Sequence, residues 1–70
     1  MRVVIEAFWD EEAGVWFASS VDDLGLATEA ATIEALQQKL SVMVPDLLEP
    51  DYKGPVEVEL LARNTYTIAA

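Results

Sequence analysis

The sequence predicts an α+β domain of order β-β-β-α-β, with a four-stranded mixed sheet in order 3-2-1-4 and one long helix packed on one face. Three observations predict it. Two β-type runs, residues 2–9 and 15–20, flank a charged turn that ends in Gly14. A single apolar stripe at helical spacing begins at Ile33, directly after Thr32. A last alternating run, residues 56–62, follows a loop that holds two prolines and a glycine.

Each element has its own justification. Residues 2–9 are rich in β-branched and aromatic side chains, and alternation places Val3, Ile5, Ala7 and Trp9 on one face. Arg2, Val4, Glu6 and Phe8 take the other. Asp10-Glu11-Glu12-Ala13-Gly14 is a turn, because Gly14 is free to adopt positive φ and the acidic residues hold the tip in water. The second strand, residues 15–20, alternates Val15, Phe17 and Ser19 with Trp16, Ala18 and Ser20. Residues 21–25 form a loop, and residues 26–30 a short third strand of the kind that suits a sheet edge.

Thr32 is a good N-cap, and Glu34 sits where the helix dipole favours an acid. Ile33, Leu36, Leu40, Met43, Val44, Leu47 and Leu48 recur at helical spacing. Pro45 removes one helix hydrogen bond and its ring clashes with the carbonyl of Ser41, which predicts a kink or a break there. A helix over residues 33–49 would span about 26 Å at ~1.5 Å per residue, enough to return the chain along an eight-residue strand. A right-handed return then lays the last strand, residues 56–62, parallel to the first. Its Val56, Val58, Leu60 and Ala62 face one way and Glu57, Glu59, Leu61 and Arg63 the other. Residues 64–70 either extend that strand or form an arm.

Composition narrows the function. Seventy residues make one domain that buries only about 60% of its unfolded surface, so a partner surface is a natural source of added stability. The chain has no cysteine and no histidine, which removes disulfides, thiolate chemistry and imidazole acid–base catalysis. Thirteen acidic residues against four basic ones give a net charge of −9. Such a field repels phosphate, so nucleic acid is not an expected partner, whereas a basic protein is. No apolar run reaches the length of a membrane span or a signal core, so a cytoplasmic location is expected.

The hairpin Val3-Val4-Ile5-Glu6 with Gly14-Val15-Trp16-Phe17-Ala18, the segment Leu24-Gly25-Leu26-Ala27-Thr28-Glu29-Ala30 and the helix start Thr32-Ile33-Glu34-Ala35-Leu36 resemble the HicB-like superfamily. Val42-Met43-Val44-Pro45-Asp46-Leu47-Leu48 resembles one small branch of it. The resemblance covers nearly the whole chain. It implies a partial ribonuclease-H-like fold without nuclease activity and, in the antitoxins of the group, binding to HicA, a small basic RNA-cleaving toxin. Those antitoxins carry a helix-turn-helix or ribbon-helix-helix segment after the core. Here a single domain over residues 1–70, with no separate DNA-binding domain, is expected, and operator binding is not carried over.

A two-metal nuclease would need carboxylates such as Glu6, Glu34 and Glu57 or Glu59 to converge, together with basic residues near them. Glu34 begins a helix on the opposite face from Glu6, and four cations in the chain are too few. Ser19, Ser20, Thr65 and Thr67 lack a histidine base. The acidic clusters at residues 10–12 and 22–23 lack calcium-loop spacing and read as solvated turns. No catalytic residue, metal or cofactor is expected. The open sheet face is the candidate interaction surface, with Val4, Phe8, Trp16 and Leu61 beside Glu57 and Glu59, inside a rim that also holds Arg2 and Glu6. Two functions follow as expectations: an antitoxin-like module that binds a basic toxin, or a self-assembling domain with no toxin partner. In either case the uncovered sheet face and edges predict a homo-oligomer.

Overall fold

The computed structural model describes residues 1–69. Its elements are β1 (Arg2–Asp10), β2 (Val15–Ser20), β3 (Ala27–Ala30), α1 (Ile33–Leu47) and β4 (Glu57–Arg63). The strands form one sheet in order β3-β2-β1-β4, as the sequence predicts. The β1–β2 and β2–β3 pairs are antiparallel, and β1–β4 is parallel.

Local chemistry explains the junctions. Gly14 takes φ 68° and donates its N–H to the Asp10 carbonyl at 2.8 Å, which closes the first turn. Asp10 is paired with Val15, so the four residues Glu11–Gly14 separate the strands and set their register. At the next junction the Ser20 N–H donates to the Leu26 carbonyl, and the Ser20 hydroxyl accepts from the Leu26 N–H, both at 3.0 Å. This exchange pins the 21–26 loop and seats Leu26 in the core. Gly25, at φ 76°, supplies the reversal before it.

α1 starts where Thr32 Oγ1 accepts the Ala35 N–H at 3.0 Å. Leu36, Leu40 and Val44, spaced by four, are its buried stripe. Pro45 lies inside the helix rather than ending it. It sits in the last turn, where only one intrahelical bond is lost, and the carbonyl it frees belongs to the exposed Ser41. The helix stops two residues later, short of the predicted Glu49, where Leu48 N–H donates to the Pro45 carbonyl at 3.3 Å.

The core is apolar throughout: Val3, Ile5, Ala7, Ala18, Leu26 and Ala30 of the sheet side meet Leu36, Leu40 and Val44. Among the described residues no polar or charged residue is buried. α1 packs closest to β3. β4 lies at the far edge, and Val58 remains 40% exposed although it faces the helix side. Residues 64–69 follow β4 as an exposed segment outside any strand or helix. The molecule measures 54 × 18 × 17 Å, with a radius of gyration of 13.7 Å. A compact chain of this length has a radius of about 11 Å.

Candidate interaction surface

The strand registers define the open face row by row. Phe8 is opposite Phe17 on one side and Arg63 on the other, and Phe17 is opposite Glu29. One row therefore crosses the whole sheet as acid, phenyl, phenyl and cation. The next row is Ala27, Ser19, Glu6 and Leu61, followed by Val4 beside Glu59 and Arg2 beside Glu57. Phe8 is 43% exposed and Phe17 46%, so the pair offers solvent two adjacent rings in the middle of a charged frame. Leu61 is also exposed, and Val4, one row farther from the phenyl pair, is half-buried.

Of the residues predicted for this face, Val4, Phe8, Glu57, Glu59 and Leu61 lie on it. Trp16 does not. It pairs with Trp9 on the helix face, packs against the core, and meets the Trp9 ring edge-on at 5.4 Å and 61°. The reason is the length of the turn. An even number of loop residues between Asp10 and Val15 pairs even-numbered positions of β1 with odd-numbered positions of β2. Phe17 thus joins Phe8, and Trp16 joins Ile5 and Ala7. Parity counted across residues 11–14 is the signal that finds Phe17.

The charged groups of the face pair with one another. Arg2 bridges two acids, with N–O distances of 3.3 Å to Glu57 and 3.5 Å to Glu59. All three side chains are largely exposed, so these pairs orient charge and add little stability. Glu6 shares the face with them, whereas Glu34 starts α1 on the opposite side. Among the described residues no three acidic side chains come together as a metal-binding group. Ser19 lies on the open face, while Ser20 is committed to the Leu26 backbone.

A second surface was not foreseen from the sequence. Between α1 and β4 runs a groove formed by two adjoining hollows of about 270 and 350 Å³. They share Leu40, Ser41, Val56 and Val58, and the groove continues to Leu60 at one end and to Pro45 and Gly54 at the other. It exists because α1 lies closest to β3 and covers the helix face of β4 only in part, leaving Val58 exposed.

Comparison with known proteins agrees with this architecture. The chain is similar over its length to a hypothetical protein, TTHA1013, from the extremely thermophilic bacterium Thermus thermophilus. Its crystal structure matches with 46% sequence identity and a TM-score of 0.77, covering 97% of this chain and 100% of that one. No curated protein matches the chain. The family model for a domain of unknown function, DUF1902, matches residues 2–68, and the chain belongs to that family.

Proposed function

We propose that this chain is a non-catalytic protein-interaction module of the cytoplasm, and that its open sheet face binds a small basic protein. The observation that carries the reading is the exposed Phe8–Phe17 pair, set between Glu29 and Arg63 on a chain of net charge −9. Aromatic anchors in a charged frame are the usual makings of a binding hot spot. The absence of buried polar groups among the described residues and a sequence without histidine or cysteine favour binding over chemistry. Among the described residues no helix is long and apolar enough to cross a membrane. The HicB-like resemblance supplies a partner of matching chemistry, a HicA-like RNA-cleaving toxin. Self-assembly without a toxin, the second reading, draws on a different surface, the β4 edge and the residues after it.

The test is titration calorimetry and stopped-flow binding with a HicA-like basic protein encoded beside this chain's gene. Phe8→Ala with Phe17→Ala should weaken binding by roughly 30-fold or more, mainly through faster dissociation. Glu57→Lys with Glu59→Lys should slow association and flatten its salt dependence. Unchanged affinity in the folded double phenylalanine variant, or no binding by the parent, would replace this reading with the self-assembling one.

A further inference from the structure

We infer that two copies of this chain pair edge to edge through β4, and that the 64–69 segment of each copy lies in the α1–β4 groove of the other. The inference goes beyond the open-face reading and uses a different surface. It begins with surface area. The chain exposes 5208 Å², whereas a compact monomer of 7.7 kDa exposes about 4,300 Å². The excess is of the order of the ~800 Å² that each partner contributes to a standard interface.

A β4-edge dimer would cover part of that exposed surface. β4 pairs only with β1, so its outer backbone edge is free. Tyr66 is 72% and Ile68 75% exposed, alternating with Thr65 and Thr67 in a β-prone segment. This segment does not fold back onto its own groove, which lies beside the start of β4: residues 64–69 run on from the end of the strand and are exposed. A twofold axis perpendicular to the sheet makes the two β4 strands antiparallel and keeps both helices on the same face. Each terminal segment then runs past the start of its partner's β4, where the groove is.

Side-chain parity and charge agree with that geometry. Val58, Leu60 and Ala62 face the helix side. Continued alternation sends Tyr66 and Ile68 to the same side, over the groove lined by Val56, Val58 and Leu40. With Leu61 on the axis, Glu59 lies opposite the partner's Arg63, twice per dimer, and Tyr66 lies across from the partner's Val56. Among the described residues Arg63 makes no ion pair within one chain. A shift that brought Glu59 opposite its own copy would set like charges together.

The chain has no cysteine, so single substitutions report cleanly. Analytical ultracentrifugation of the full chain at tens of micromolar should give a dimer, and truncation after Arg63 should give a folded monomer by circular dichroism. Arg63→Glu should raise the dimer dissociation constant about tenfold, and Glu59→Arg added to it should restore most of the loss. Leu61→Cys should form a disulfide-linked dimer on mild oxidation, whereas Val21→Cys, exposed but set beside Val4 of β1 and away from the β4 edge, should not. A monomeric full chain, a truncated chain that still dimerises, or failure of the charge swap together with failure of the Leu61→Cys link would overturn the inference.

Discussion

Substituting Trp16 and Phe17 separately, one residue apart in β2, tests the hairpin register on which the composition of the open face depends. Trp16 is half-buried, packs on the core and meets Trp9 edge-on at 5.4 Å. Truncating a fully buried aromatic costs about 3–5 kcal/mol. Partial exposure reduces that to about 2, and losing the edge-on pair restores about 1, for a total of about 3 kcal/mol. Phe17, 46% exposed with Phe8 as its cross-strand neighbour, should cost only about 1 kcal/mol. A 70-residue chain has a total stability of about 4–10 kcal/mol, so the two losses are easily separated. Urea unfolding at one fixed protein concentration should show midpoints lowered by roughly 3 M for Trp16→Ala and 1 M for Phe17→Ala, at a slope near 1 kcal/mol per M. Coupling between the two indoles should also give an exciton signal in the far-ultraviolet circular dichroism, which Trp16→Ala abolishes and Phe17→Ala keeps. A larger loss for Phe17→Ala, or loss of the indole signal in that variant, would refute the register.

Two local devices give further tests by the same unfolding measurement. Thr32→Ala removes the hydroxyl that accepts the Ala35 N–H and should cost about 1 kcal/mol, while Thr32→Asp should keep most of it. Gly25→Ala meets no atom within 4 Å of the added methyl, so its loss of about 1 kcal/mol should come from the backbone at φ 76° alone. Gly25→Asn should therefore be milder than Gly25→Ala despite its larger side chain.

The parts of the fold legible in the sequence were those where one strong local signal acts. Alternation in residues 2–9, Gly14 at the turn, Thr32 at the cap and the Leu36–Leu40–Val44 spacing each point to one structure, and the strand order follows from the reach of the helix. β3 was harder, since alanine is a weak strand former, yet Ala27–Ala30 pairs with β2 because Leu26 and the Ser20 side chain fix its start. Where the sequence predicts a kink or a break at Pro45, the helix runs on for two residues to Leu47, because a proline in a last turn disturbs only one bond. Trp16 lies off the face predicted for it because each strand shows its own alternation but not its phase relative to its neighbour. That phase is held by the number of residues in the turn. The groove was hidden for a different reason: alternation assigns Val58 to the helix side, but it does not say how far across the sheet the helix reaches.

How far it reaches follows from dimensions. Four strands at ~4.8 Å spacing place β3 and β4 about 14 Å apart between axes, whereas a helix with its side chains is about 10–12 Å across. One helix cannot cover all four strands, and in this fold the 30–33 connection holds the start of α1 close to β3. The least covered strand is then β4, with Val58 exposed on the helix face, although Leu60 still packs against the core, and with its outer edge open. Its sequence suits such a position: Glu57, Glu59 and Arg63 alternate with apolar residues, so the strand stays soluble while offering charges that can choose a partner. The two proposed surfaces have different origins. The Phe8–Phe17 pair exists because no second layer packs on the open face, and the β4 groove exists because the first layer is too narrow. Losing one need not affect the other. A chain cut after Arg63 should therefore lose self-association while keeping any affinity of the open face for a basic protein, apart from the gain in avidity that a dimer gives a bivalent partner.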